Sequence, residues 1–405
     1  MSPTGETGPR TAARIWLEGI FFVGVVALAP APLFATSMSY FGLLTVAVLF
    51  VVYVAAGGWR RLRPLPLDLA VGAFLLVRIL STLTSVDPAL SWKGLEKSGL
   101  LLAYYPLAHM ALSRPRRLAG IYIFLAATVL AAGVGVASFA FGGAGRVASL
   151  TGGYTTFAEV LAVALCLFLA AAAFSPWRGR LAYGVAALVP FGALVLTLCR
   201  GQWLALVAGI GVVGGLKDRR VLAVLLLVAA GAAAAVYLLP AGAASGRFSL
   251  GDPAFESYRD ILWKGGLAVI FDRPLTGFGP ETIKAVFPYQ TRFYSPVAEV
   301  IGWHNDYLRL VVESGLPAVA AALWVVVAAA RAAWGAFRRE GEDPRVRALG
   351  LGLVAATVAV LVSGLVGDVV ADPAMLVVFV VLWGLAAPLL TPCAGGSAGG
   401  SDDDA

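Results

Sequence analysis

The sequence predicts an all-α polytopic membrane protein with about twelve transmembrane helices and one large loop between the ninth and the tenth. Two features of composition and one of charge placement carry that reading. Hydrophobic residues fill 60% of the 405 positions and charged residues only 13%, where an ordinary soluble domain is about 25% charged. Apolar runs recur at the length of a bilayer-crossing helix, roughly 20 residues. Lys and Arg collect in alternate connectors, as the positive-inside rule requires of cytoplasmic loops. A water-soluble enzyme is excluded. The net charge of +7 would suit a nucleic-acid partner in a soluble chain, but here the cations are topology signals and no nucleic acid is expected.

In order, residues 1–14 form a cytoplasmic N-terminal segment, and residues 15–239 hold nine spans. The apolar runs are Ile15 to Phe34, Tyr40 to Ala56, Leu67 to Thr82, Leu95 to Leu112, Leu118 to Phe141, Phe157 to Phe174, Leu181 to Leu198, Trp203 to Leu216 and Val221 to Leu239. Residues 240–303 are a periplasmic loop. Residues 304–391 carry spans ten to twelve, Asp306 to Ala330, Val346 to Val366 and Ala374 to Leu390, and the Gly, Ser and Asp of 392–405 form a disordered cytoplasmic tail. Arg10, Arg14, Arg60, Arg61, Arg63, Arg114, Arg116, Arg117, Arg178, Arg180, Lys217, Arg219, Arg220, Arg331, Arg338, Arg339, Arg345 and Arg347 fall on one side of this alternation. The short connectors of the other side hold only Lys93, Lys97, Arg146 and Arg200. Both termini are therefore expected in the cytoplasm. Cys166, Cys199 and Cys393 lie too far apart in sequence to encode a disulfide framework or a metal cluster.

The long loop is the exception to a chain of short connectors, and long ordered connectors tend to be functional. Asp252-Pro253 suits a helix start. Phe255, Tyr258, Ile261 and Leu262 follow at helical spacing, predicting an amphipathic helix at the membrane surface. A turn is expected at Gly277-Phe278-Gly279-Pro280, then a short helix around Thr282 to Phe287.

Of the two histidines, His109 reads as an interfacial residue near the cytoplasmic end of the fourth span. His304 is different, because it sits where the loop meets a helix. A helix N-terminus disfavours imidazolium, so the ring is placed to accept a proton as a general base. Arg200, between two apolar runs, and Arg78, late in the third span, have no acid among their nearest sequence neighbours. A charge at that depth requires a partner, and a ligand anion would supply one. Arg259 has the same potential, although Glu256 and Asp260 are close in sequence. The planar donor fork of arginine matches phosphate oxygens, so converging arginines imply a polyanion, and at an outer-leaflet cleft that means a lipid diphosphate. Asn305, Asp306 and Trp263 are candidate supporting residues. Glu159, in an apolar run, is either a further supporting residue or an interhelical hydrogen-bond partner. Arg309 and Glu313, four apart, read as a structural pair. No HExxH, Walker A or zinc spacing occurs, so neither a metal nor another cofactor is expected.

Three stretches resemble the O-antigen ligase and O-antigen polymerase superfamily of bacterial membrane glycosyltransferases. They are Leu196-Thr197-Leu198-Cys199-Arg200-Gly201-Gln202-Trp203, the series from Arg259 through Trp263 to Pro274-Leu275-Thr276-Gly277-Phe278-Gly279, and His304-Asn305-Asp306-Tyr307-Leu308 with Glu313-Ser314-Gly315-Leu316. The resemblance implies a fold of the membrane glycosyltransferase C type in the bacterial inner membrane and metal-free, inverting transfer at the periplasmic face. The donor it implies is a glycan on undecaprenyl diphosphate. By that likeness Arg200 and Arg259 would hold the diphosphate, and His304 would activate the acceptor hydroxyl. Cys199, where a small hydroxyl residue is common, and Pro317, in place of a glycine, depart from the pattern without touching these groups. The acceptor would be lipid A core in a ligase, a second lipid-linked repeat in a polymerase, or a protein hydroxyl in an O-oligosaccharyltransferase. The short tail without a further soluble domain favours the ligase. From another class, a transporter of an anionic lipid or solute suits the span count equally. No matching pair of interrupted helices marks a transport site.

Overall fold

Helices account for all regular structure in the computed structural model, which describes residues 9–217, 259–287 and 302–391 apart from 35, 56, 111, 143–144, 149 and 151–152. In chain order they are α1 (Pro9–Leu28), α2 (Ala31–Phe34), α3 (Thr36–Ala55), α4 (Asp68–Leu83), α5 (Pro88–Gly99), α6 (Tyr104–His109), α7 (Arg114–Gly142) and α8 (Tyr154–Phe174). There follow α9 (Trp177–Leu196), α10 (Arg200–Leu216), α11 (Arg259–Val269), α12 (Ile283–Val286), α13 (Asp306–Arg338), α14 (Pro344–Ser363) and α15 (Pro373–Leu390). Among the described residues seven helices, α3, α7, α8, α9, α13, α14 and α15, are long and apolar enough to cross a bilayer, and Glu18–Phe34 and α10 are shorter apolar helices. The protein is a multi-pass membrane protein.

Five of the twelve expected runs are not among these seven: the first and the eighth fall on the two shorter apolar helices, the third is α4, and the fourth and the ninth differ more. The ninth run, Val221 to Leu239, lies outside the described residues, as does the expected helix start at Asp252-Pro253. The fourth run, Leu95 to Leu112, is no single helix. α5 ends at Gly99, a 3₁₀ turn spans Leu100–Ala103, and α6 restarts at Tyr104. Pro106 stands in the first turn of α6, where a missing N–H costs nothing. Gly94 of α5 is pressed against Pro280, which draws this helix toward the loop.

Burial separates the helices that build the core from those that face lipid. The apolar windows of α8 and α15 are 72% and 78% buried, while those of α3 and α9 are 22% buried. On α3 the exposed residues Phe41, Leu44, Val48 and Val51 fall on one helical stripe, and Leu181, Val185 and Leu188 do the same on α9. Such stripes would be insoluble in water and are ordinary in a bilayer. α14 packs against α8, α10 and α13, and α13 packs against α4.

The element that shapes the site is α13, which is broken at Gly315 (φ 75°, ψ 179°) two residues before Pro317. A break exposes backbone groups that lipid cannot satisfy, so the protein must supply partners. The loop after α11 supplies them. Phe278 N–H donates to the Val312 carbonyl (2.9 Å), Gly279 N–H to the Glu313 carbonyl (2.8 Å), and Leu316 N–H to the Pro274 carbonyl (2.8 Å). The Ser81 hydroxyl of α4 adds a second bond to the Glu313 carbonyl. The expected turn at Gly277-Phe278-Gly279-Pro280 is present, with left-handed φ at Gly277 and Gly279. A Cβ on Gly277 would fall 2.3 Å from the Glu313 carbonyl carbon. The short helix expected around Thr282 to Phe287 is α12. A separate small core of Leu262, Val269, Ile283, Val286, Phe287, Trp303, Leu308 and Val312 binds α11 and α12 to the N-terminal part of α13.

At the opposite end, Arg117 is buried and does more than mark topology. Its guanidinium donates to the carbonyls of Leu107, Ala108, Met110, Leu112 and Gly384, which include the unpaired carbonyls at the end of α6. His109 at the same end is paired with Asp68 (3.1 Å) and stacked on Tyr105.

Gly315→Ala tests the broken helix. The added Cβ would sit 2.6 Å from the Leu275 backbone at a left-handed φ, and no flexible side chain can move aside. A cost on the order of 1–3 kcal/mol is expected, read as a lower melting temperature of the detergent-solubilised protein. A melting curve superimposable on wild type would contradict this.

Candidate functional site

His304 precedes the cap of α13 and adopts a left-handed φ of 50°. Its ring is 36% exposed, and Nδ1 lies 2.9 Å from Asp368 Oδ2 in the connector between α14 and α15. The His304 backbone N–H also donates to both oxygens of Asp368 (3.1 and 3.2 Å). A carboxylate only accepts, so Nδ1 carries a proton toward it and the ring turns Nε2 away from Asp368. Sequence position alone supplied a helix end that disfavours imidazolium. The structure adds a carboxylate on Nδ1, which fixes the tautomer.

The expected supporting residues hold that carboxylate in place. Asn305 is the helix cap, its Oδ1 accepting from Leu308 N–H (3.0 Å), and its Nδ2 donates to the Leu365 carbonyl (3.2 Å). Asp306 accepts from the N–H groups of Val369 and Val370 (both 3.1 Å), while its own N–H donates to the Gly364 carbonyl (2.8 Å). The Tyr307 hydroxyl reaches the Leu361 carbonyl. Thus His304, Asn305 and Asp306 staple the 364–372 connector to the start of α13, and Tyr307 ties the same start to the last turn of α14. Trp263 acts from α11, its Nε1–H donating to the carbonyl of Trp303, the residue before His304.

Behind this pair lies a chain of buried charges. Arg309 directs Nε to Glu313 (3.0 Å), Nη1 to Asp368 (3.1 Å) and Nη2 to Glu281 (3.3 Å). Glu313 is also 3.5 Å from Arg78, and Lys97 of α5 is 3.0 Å from Glu281. The Arg309–Glu313 pair is formed as helical spacing predicts, but it belongs to this larger network. Arg78 departs from its expected role. Its guanidinium is buried and bonded to Ser98, Ser314 and Glu313, so its charge is matched within the protein and it is not presented to a diphosphate.

Arg200 is exposed at the first position of α10. That turn abuts the same connector, since a Cβ on Gly201 would lie 2.4 Å from Val366 and Gln202 Nε2 donates to Ser363 Oγ (2.6 Å). Arg200 and His304 therefore border one short segment, 363–368. Arg259 opens α11, which packs on α13; its side chain is outside the described residues. Glu159 is buried on α8 and accepts from Gln202 (3.3 Å), the interhelical hydrogen bond that was one of its two expected roles.

Among the described residues Leu198, Glu281 and His304 are the non-glycine residues with positive φ. Leu198 and His304 fall within the sequence stretches singled out above, and Glu281 falls just after one of them. Backbone strain of this kind persists where surrounding structure enforces it, and it collects at functional sites. Asp368, Glu281 and the wider role of Arg309 were not legible as site features in the sequence. Asp368 falls two residues past the eleventh apolar run, and spacing in sequence names no partner for it.

Burial alone would raise the Asp368 carboxyl, but the hydrogen bond from His304 and the nearby Arg309 charge outweigh burial and hold it below its usual value. Residues 184–323 match the family model described as O-antigen ligase (Wzy_C). The matched span takes in Arg200, Arg259, Glu281, His304 and Arg309. A search of curated proteins gave no match.

Because the folded-state carboxyl of Asp368 titrates below its ordinary value of 3.8, its contribution to stability is complete above that pH and is lost as pH falls through the lowered value. Asp368→Asn is therefore expected to melt below wild type at about pH 7, with the gap narrowing at about pH 3. Thermal unfolding in detergent at both pH values checks this, and a gap that is constant or widens with acid would contradict it.

Proposed function

We propose that the chain, whose residues 184–323 match the O-antigen ligase family model, is a membrane glycosyltransferase that moves a glycan from undecaprenyl diphosphate to an acceptor hydroxyl, with lipid A core as the preferred acceptor. The observation that carries this reading is the His304–Asp368 pair at a partly exposed helix start, beside the connector that also meets the turn bearing Arg200. In this mechanism Nε2 of His304 takes the acceptor proton as the acceptor oxygen bonds to the anomeric carbon. The bond from that carbon to the phosphate oxygen breaks on the opposite side, its electron pair leaving on the diphosphate, so configuration inverts. General-base assistance of this type contributes about 10² to 10⁴ in rate.

Arg200, with Arg259 as second donor, offers bidentate hydrogen bonds to the diphosphate and stabilises the charge that grows on it. Arg78 is left out of this role. The lipid portion has a fitting neighbour in an apolar cavity of about 180 Å³ that begins at Val369 and Val370, directly after Asp368, and continues past Met375, Phe379 and Trp383 between α13, α14 and α15. In the proposed orientation the site faces the periplasm and the arginine-rich end faces the cytoplasm, in accord with the distribution of Lys and Arg. A polymerase or a protein O-oligosaccharyltransferase would use the same donor side and differ in the acceptor.

The test is transfer by purified protein from a lipid-linked glycan in detergent. His304→Ala is expected to lose about 10² to 10⁴ in rate. Arg200→Lys, which keeps a charge but loses the fork, is expected to fall by at least about tenfold. Near wild-type transfer by both variants would overturn the assignment, and the mass of the product identifies the acceptor.

A further inference from the structure

The buried network behind His304 holds a residue whose geometry goes beyond helix pairing. Arg309 has each of its three guanidinium nitrogens on a different carboxylate, and each carboxylate belongs to a different part of the chain. Nε meets Glu313 on α13, Nη2 meets Glu281 on the loop after α11, and Nη1 meets Asp368 on the connector between α14 and α15. The Asp368 carboxylate is divided between two tasks. Oδ1 takes Arg309 at 3.1 Å, and Oδ2 faces the ring nitrogen Nδ1 of His304 at 2.9 Å.

We propose that Arg309 is a positioning residue for glycan transfer, fixing the Asp368 carboxylate so that its other oxygen holds the His304 ring with Nε2 turned to the acceptor, and that Glu281 sets how much of the Arg309 charge Asp368 receives. The inference rests on the transferase reading and deepens it. A planar fork holds three acceptors in a fixed mutual orientation, whereas the three donors of an ammonium group rotate about its stem and cannot. Arg309 is 6% exposed and Glu313 1%, so these charges are poorly screened and their effect on the neighbouring pair is retained. Glu281 is held at a left-handed φ of 61°, and the Oε1 that meets Arg309 also meets Lys97 of α5. The loop thus presents a carboxylate to Arg309 at a backbone cost, which an incidental surface contact would not sustain.

The charged groups around the His304–Asp368 pair are Arg309, Asp306 and Glu313 on α13, Glu281 on the loop, Asp372 at the end of the connector, Glu159 on α8 and Arg200 at the start of α10. Of these, Arg309 and Glu281 can be neutralised without removing a group assigned to proton transfer or to the diphosphate. Their effects should be opposite in sign. Arg309→Gln leaves Asp368 less compensated, which favours imidazolium at His304. Glu281→Gln leaves more of the Arg309 charge to Asp368, which disfavours it.

The experiment is the pH dependence of kcat/KM for transfer from lipid-linked glycan by full-length protein in detergent. Arg309→Gln is expected to move the acid limb to higher pH, and Glu281→Gln to lower pH, each by about half a unit to one unit. Arg309→Lys is expected to lower kcat at least about tenfold while leaving the limb near wild type. A merely structural role would reduce yield and rate in all variants without opposed shifts, and that result would overturn the inference. If Arg309→Gln fails to elute as folded protein, the Glu281→Gln limb decides: a downward shift supports the inference, and an unmoved or upward one overturns it. His304→Ala in the same assay separates the two levels. Retained transfer there sinks the transferase assignment itself, whereas loss of transfer with unmoved limbs in the other variants sinks only the role of Arg309.

Discussion

A guanidinium buried in an apolar helix bundle must find acceptors or the bundle is destabilised, and at Arg309, where the acceptors are carboxylates, that requirement organises the end of the molecule that holds His304. The matching carboxylates come from three places: one turn along the same helix, the loop after α11, and the connector between α14 and α15. Arg78 and Lys97 extend the chain of opposite charges to α4 and α5. Removing a single member of such a chain costs far more than its net contribution to folding, because a charge is then left buried without a partner. The network is therefore a device for specifying geometry. What it specifies is the position of Asp368, and through it the ring of His304.

The broken helix serves the same end. In an unbroken α13 the Val312 carbonyl would be taken by the Leu316 N–H, and only the Glu313 carbonyl, opposite Pro317, would be left for the loop carrying Glu281. Gly315 opens the helix, Gly277 and Gly279 let the loop approach within hydrogen-bond distance, and the backbone bonds between them substitute for the water that a bilayer withholds. Glu281 is then delivered to Arg309 two residues after the second glycine. Neutral hydrogen bonds bring the segments together, and charge pairs fix their register.

Hydropathy and charge alternation made the membrane class legible, along with most of the long spans, because both signals are local and repeat along the chain. Turn chemistry showed the bend at Gly277 to Pro280, and the junction of loop and helix singled out His304. Partnership was not legible. Nothing local connects His304 with Asp368 or Arg78 with Glu313, since spacing in sequence carries no information about which distant carboxylate a folded cation meets. That is why Arg78 read as a cation awaiting a ligand. The division of Leu95 to Leu112 into two helices was hidden for a similar reason: the contact of Gly94 with Pro280 joins segments far apart in the chain.

The central claim is that His304 is held in one tautomer, with its proton on Nδ1 toward Asp368 and Nε2 open to accept another. The chain has two histidines, so ¹⁵N-histidine labelling with a His109→Gln control resolves His304 by nuclear magnetic resonance in detergent micelles. The account predicts a neutral-pH spectrum in which Nδ1 of His304 bears hydrogen and Nε2 has the shift of an unprotonated ring nitrogen, with the assignment lost in Asp368→Asn. A ring protonated on Nε2 and bare at Nδ1 would contradict it.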